Sequence, residues 1–123
     1  MAGTARATLG LKPFDVVVVP FPFTDRDSSK RRPALVLSSA DFNQASGHCV
    51  LAMITSADQS SWIGDFPISN LKPTGLLQPC LVRMKLFTLD QRLVLRVAGS
   101  LFKPDQRRLK ESWAALLSIA PSH

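Results

Sequence analysis

The strongest constraint on the fold of this chain is one apolar stripe at helical spacing, set behind a series of short β-branched runs. Leu109, Trp113, Leu116, Leu117 and Ala120 fall at i, i+4, i+7, i+8 and i+11, which lines one face of a helix. Pro104 suits its first turn, where a missing N–H costs nothing. Asp105 beside it favours the positive end of the helix dipole. Trp113 is accordingly expected in the core. Upstream, residues 15–19 form a β-branched run that reads as a buried strand, ended by Pro20 and Pro22 because proline removes ladder donors. A polar loop over 24–31 follows. Further strands are expected over 33–38, 48–55, 63–68, 80–87 and 93–101. Residues 41–47 read as a turn or short helix, and 69–79, with Pro73, Gly75 and Pro79, as a connection. Gly99 predicts a bulge or a close backbone approach. Short strands with one packing helix predict a mainly β (α+β) fold, a small and strongly bent antiparallel barrel with a C-terminal helix. It is expected to be one domain over 13–120 behind a flexible leader over 1–12.

Composition narrows the class. The chain has 123 residues, nearly half of them apolar, enough for one core and too apolar for a disordered tail. It carries a formal net charge of +6. Most of the excess lies after residue 62, and such asymmetry favours a polyanionic partner, nucleic acid first. Two cysteines, Cys49 and Cys80, are too few for a disulfide framework and read as buried thiols. Zinc would need more ligands than these and His48 and His123 supply. The longest apolar run, 16–23, is short and holds two prolines, so no membrane span fits it. No secretory leader is legible, and the expected compartment is the cytoplasm.

Three segments can carry chemistry. The first runs from Phe14-Asp-Val-Val-Val-Val-Pro-Phe-Pro-Phe through a charged loop into Lys30-Arg-Arg-Pro-Ala-Leu-Val-Leu-Ser38. Three adjacent cations, Lys30, Arg31 and Arg32, meet a strand there. A strand can fix Arg32 so that its guanidinium fork faces a phosphate. In the second, an apolar strand ends in two hydroxyls, Thr55 and Ser56, which beside an arginine can hold a phosphate oxygen. In the third, Arg83 and Lys85 stand two apart on a strand and share a face, with Val82, Met84 and Leu86 on the other. An exposed basic side of this kind can track a phosphate backbone.

Taken in order, these segments resemble the MazF/PemK toxin family. The opening run leading to Arg-Arg-Pro-Ala-Leu-Val-Leu-Ser, then Ile54-Thr55-Ser56, then Val-Arg-Met-Lys-Leu-Phe-Thr-Leu-Asp occupy the places of its three motifs, over roughly residues 14–118. The resemblance implies an SH3-like barrel with appended helices, shared with CcdB-type toxins, and a homodimer with RNA in a groove across its interface. It implies metal-independent cleavage of single-stranded mRNA at short specific sequences, with no cofactor. It also implies a cognate antitoxin that covers the groove, and an operator DNA bound by the toxin–antitoxin complex. The family's active-site pair falls on Arg32 and Thr55. Lys30, Arg31, Ser56, Arg83 and Lys85 are then expected to contact RNA.

Two departures stand out. Members often carry Arg-X-Asp in the third block, whereas this chain has Arg83-Met84-Lys85 and lacks the acid. Phe14 stands where glycine is usual before Asp15. Cleavage through the 2′-OH needs a proton acceptor, a stabiliser of the dianionic phosphorane and protonation of the leaving 5′-oxygen. Arg32 suits the phosphorane, and Thr55 suits a non-bridging oxygen or the 2′-OH. The acceptor is left open among Asp25, Asp27, Asp58 and Asp90. The alternative is a non-cleaving module that binds nucleic acid or antitoxin, or a CcdB-type gyrase poison, and the missing acid favours it.

Overall fold

The computed structural model describes residues 10–20, 30–58 and 61–117. Six strands form one antiparallel sheet in the order β4-β5-β3-β2-β1-β6. They are β1 (Asp15–Pro20), β2 (Arg31–Val36), β3 (His48–Ser56), β4 (Phe66–Pro67), β5 (Cys80–Asp90) and β6 (Arg96–Ser100). Helix α1 (Ala40–Ser46) links β2 to β3, and helix α2 (Lys103–Leu116) follows β6. This is the mainly β half-barrel with a C-terminal helix that the short runs and the single stripe predict.

Period-two alternation divides the apolar residues between two cores. Val17, Val19, Ala34, Val36, Cys49, Leu51 and Val94 pack on one side of the sheet, joined by Leu11. Val16, Leu35, Ala52, Ile54, Val82 and Met84 pack on the other, with Leu101 and Leu109. The expected leader over 1–12 lies outside the described residues as far as residue 9. At its end Leu11 is buried, and its carbonyl accepts from Asn43 Nδ2 at 2.9 Å.

Two irregularities bend the sheet. Along β1 and β6, Val16 faces Gly99 while Val17 faces Val97, which leaves Ala98 as an extra residue. Gly99 is also where two backbones meet: a Cβ there would stand 2.2 Å from the carbonyl oxygen of Pro73. Both readings of this glycine therefore hold. Along β3 and β5, Ala52 faces Leu86 but Met53 faces Arg83, so Met84 and Lys85 are inserted. Such bulges raise local twist and re-aim side chains.

The short helix forms because Ser39 caps it, its side chain accepting from Phe42 N, and because Gly47 closes it at φ +73° in the left-handed region where glycine is cheap. The long helix is pinned at its start. Asp105 is buried and accepts from both the backbone N and the Oγ of Ser69, at 2.9 and 2.8 Å.

Three expectations are corrected. The fourth strand is only Phe66–Pro67, because residues 62–65 form a turn with Gly64 at φ +84°. The expected strand over 93–101 begins at Arg96 after a 3-10 turn at Gln91–Leu93. Trp113 is not core: Leu109 is buried, but Trp113, Leu116 and Leu117 are 38%, 44% and 43% exposed. Periodicity identifies the apolar face of a helix, not how far a sheet extends beneath it. Here the cover ends one turn past Leu109.

Phe14 is the one non-glycine with positive φ among the described residues, at +77°. Its N–H donates to Val36 O at 2.9 Å and its carbonyl accepts from Leu101 N at 2.8 Å. Its ring lies 5.9 Å from Lys110 Nζ on α2.

Candidate active site

The site follows from strand register. β2 pairs with β1 so that Val19 faces Arg32 and Pro20 faces Arg31. On its other side, Ala34 faces Met53, Leu35 faces Ala52 and Val36 faces Leu51 of β3. Continued by two residues, this register sets Arg32 level with Thr55 and Arg31 level with Ser56. Residues opposed in an antiparallel pair share a face. Arg32 and Thr55 thus prolong the face of Ala34 and Met53, beyond the edge of the first core.

A groove of about 350 Å³ opens on the opposite face, beside the second core, lined by Val18, Arg31, Pro33, Cys80 and Arg96 among others, with Arg32 also on its border. A second hollow of about 410 Å³ adjoins it through Gln78 and is bordered by Ser56, Asp58 and Pro79. Thr55 lines neither this groove nor the hollow next to it. Ser56 Oγ donates to Asp58 Oδ1 at 2.5 Å. Arg31 is exposed, and Arg32 and Thr55 are half-buried. Lys30 is exposed just before β2 and is not among the residues lining either hollow. Arg96 was not anticipated from the sequence. Its position is explained by Val18, which faces Pro33 on one side and Arg96 on the other.

The expectation of an open basic side on β5 is overturned for Arg83. Its guanidinium is buried and bidentate to Asp65, Nε to Oδ1 at 3.1 Å and Nη2 to Oδ2 at 2.8 Å. The hydrogen bond to Asp65 raises the arginine pKa further, against the lowering effect of burial. The cause is again register: Phe66 faces Val82, which brings the preceding Asp65 level with Arg83. Asp65 therefore meets the arginine that has no acid two residues on. The sequence hides this because the partners lie 18 residues apart. Lys85 is half-buried, with its Nζ 5.7 Å from the Trp62 ring centroid.

The cysteines are free thiols in different settings. Cys49 is fully buried, and burial, with the charge of Asp90 adding, pushes its thiol up to about 11. Cys80 is half-buried on the groove wall, and burial raises its thiol too. At about pH 8, iodoacetamide is expected to modify Cys80 in the native protein and to reach Cys49 only on unfolding. Mass spectrometry of the labelled peptides checks this, and equal labelling would contradict the assigned burial. Among the described residues, no group of three or more His, Cys, Asp or Glu is placed to hold a metal ion. No helix among them is long and apolar enough to cross a membrane.

The fold is a bent antiparallel sheet with a C-terminal helix, and three arginines border one groove at its strand ends. Comparison with known proteins agrees. The chain belongs to the family of PemK-like, MazF-like toxins of type II toxin–antitoxin systems, whose family model matches residues 12–117. No curated protein is matched by the sequence. Among solved structures, MazF from Deinococcus radiodurans is similar with a TM-score of 0.69 at 19% identity, covering 89% of this chain and 97% of that one. An endoribonuclease in complex with its cognate antitoxin, from a mycobacterial species, is similar with a TM-score of 0.69 at 12% identity, covering 94% and 100%. The Mycobacterium tuberculosis toxin MazF-mt6 gives 0.68 at 18%, covering 87% and 99%. At these identities the likeness is one of fold.

Proposed function

We propose that this chain is a sequence-specific, metal-independent endoribonuclease that cleaves single-stranded mRNA as the toxin of a type II toxin–antitoxin pair. The reading rests on the strand register that, continued from Ala34 and Met53, sets Arg32 level with Thr55, and on the groove that adds Arg31 and Arg96 nearby. In this reading the 2′-OH attacks the adjacent phosphorus and the bond to the 5′-oxygen breaks. The products are a 2′,3′-cyclic phosphate and a 5′-hydroxyl. Arg32 meets the charge developing on the non-bridging oxygens, where a fixed, partly desolvated cation is worth most. Thr55 donates to the same oxygens or holds the 2′-OH. Arg31 and Ser56 extend the contact along the backbone.

Geometry narrows the proton acceptor. Asp90 faces His48 at the far end of β3, roughly 23 Å from Thr55 at the usual strand rise. Its hydrogen bonds to Arg92 pull its pKa down to about 2, which makes it a poor base. Asp25 and Asp27 lie outside the described residues. Asp58 borders the groove's second hollow and already accepts a proton donor from Ser56. We assign it the role of receiving the 2′-OH proton, while the leaving 5′-oxygen takes its proton from solvent.

The test is direct. Purified protein in EDTA is expected to cut single-stranded RNA and leave cyclic phosphates, with the new 5′-ends read by sequencing. Asp58→Asn is expected to slow cleavage by about 10²–10⁴-fold, the usual worth of a positioned base. The oligonucleotide is also expected to protect Cys80 from alkylation. Binding without products across several substrates would favour the second reading, a nucleic-acid or antitoxin-binding module. That reading draws on the neutralisation of Arg83 by Asp65.

The proposal extends to partners. A cognate antitoxin would cover the groove, and the complex would bind operator DNA. Support comes from the mycobacterial endoribonuclease of similar fold, which was solved with its cognate antitoxin. The chain would act in the cytoplasm as a homodimer, and the exposed apolar stripe of Trp113, Leu116 and Leu117 offers surface for association.

A further inference from the structure

Trp62 is a large aromatic that belongs to neither core. It is 44% exposed yet firmly anchored. Its backbone N–H donates to Asp65 Oδ2 at 2.9 Å, and its backbone carbonyl accepts from Asp65 N at 3.0 Å. Helix α2 holds the same turn, Ser112 Oγ donating to Gly64 O at 3.1 Å. The Arg83 guanidinium carbon lies 5.8 Å and Lys85 Nζ 5.7 Å from the ring centroid. These separations suit cation–π attraction. Both cations rise from β5, so the ring rests on the strand side and its exposed part faces outward. Ile63, next to it, is 91% exposed.

We propose that Trp62 is a stacking platform for one unpaired nucleobase of the RNA strand whose scissile phosphate lies at Arg32 and Thr55. This rests on the ribonuclease reading and deepens it. Three observations converge. The backbone that carries the ring is fixed by hydrogen bonds and the ring itself rests on two cations, so less freedom is lost when a base stacks on it. Lys85 beside it adds a positive charge that suits a phosphate backbone, Arg83 being paired with Asp65, and a π-face next to a basic side chain is how single strands are held without base pairing. The position also fits. Arg83 faces Met53 and Leu81 faces Thr55, so Arg83 lies roughly 8 Å from Thr55 by strand spacing and rise. A base on Trp62 and a phosphate at Thr55 can then belong to one short strand. A base inside a duplex has both faces covered by its stacked neighbours, so the platform also selects single strands.

The experiment measures affinity for a short mixed-sequence 2′-O-methyl RNA, which cannot be cut through its 2′ position. Trp62→Ala is expected to weaken binding about 10- to 100-fold, the usual worth of one stacked base. The salt dependence should not change, because no phosphate-neutralising cation is removed. If Trp62 merely held Arg83 and Lys85 in place, the salt slope would fall by about one or more, and that result would overturn the proposal. Trp62→Leu keeps an apolar anchor for the turn but has no π-face, and is expected to bind as weakly as alanine. Trp62→Phe is expected to recover most of the affinity. In a Trp113→Phe background Trp62 is the only tryptophan left, and its emission is expected to be quenched on binding. Wild-type affinity in a folded Trp62→Leu protein, or binding without quenching, would overturn the platform and leave the ring to a protein partner. Failure of the unaltered protein to bind any single-stranded RNA is a different result and would remove the ribonuclease reading itself.

Discussion

Replacing Arg32 by alanine is expected to lower RNA cleavage by about 10²–10³-fold, the loss typical of removing one oxyanion donor, while the protein stays folded. The fold should survive because Arg32 contributes to the sheet through its backbone, paired with Val19. Its side chain is half-buried at the end of the first core, beyond Ala34, with Nε shielded from solvent, so truncation trims the edge of the core and leaves its centre intact. The chemistry should fail because a phosphorane carries two negative charges in a plane that a guanidinium fork can match and a point charge cannot. Arg32→Lys is therefore expected to recover only a small part of the rate. Thr55→Val removes a donor from the same phosphate. If both side chains act on one group, the double variant will lose much less than the product of the single losses. Initial rates on a labelled RNA, with circular dichroism as the folding control, decide the matter. Full activity of Arg32→Ala would remove this residue from the active site.

The second large effect concerns stability. Gly99→Ala is expected to cost about 3 kcal/mol or more, at or above the upper range for overpacking. A Cβ at this position would stand 2.2 Å from Pro73 O and 2.7 Å from Thr74 C. Both are backbone atoms, so no rotamer change can relieve the clash. The contact is reciprocal, since a Cβ on Gly75 would come within 2.3 Å of Ala98 O. The turn at Lys72–Thr74 and β6 therefore touch backbone to backbone. Gly47 serves as the contrast, because it has a positive φ that Gly99 lacks but nothing within 4 Å of the added atom. Gly47→Ala should cost only about 1 kcal/mol, the conformational part alone. Urea unfolding with an unchanged m-value separates the two, and equal costs would refute the close-approach account.

Much of this fold is written in local signals. The valines of β1, the alternation in β3 and the cap residues around α1 act over a few positions, so their structure can be read from spacing. β5 runs on to Asp90 where the sequence suggests an end at Phe87, because Leu89 is recruited to a core that local pattern does not reveal. The bulge at Met84 and Lys85 is equally hidden, as it depends on β3. Arg32 and Thr55 could each be singled out from their own segments, but their pairing as one site came only through resemblance to a family. Nothing in their 23-residue separation announces that the register will bring them level. Asp65 and Arg96 were missed for the same reason: each meets its neighbours across strands distant in sequence. Arg83 shows the converse error. Alternation correctly set it opposite Val82 and Met84, but alternation says nothing about a carboxylate arriving from a sheet edge.

Phe14 has a consequence in heritable terms. A bulky side chain in the left-handed region carries a local penalty of order 1–3 kcal/mol, which glycine would remove. The ring offsets it by lying against Lys110 and lining a hollow with Leu109 and Trp113. A lineage that exchanged Phe14 for glycine would relax the backbone and at the same time uncover that side of the helix. Position 14 therefore trades an easier backbone against cover for the helix, and no single side chain there supplies both.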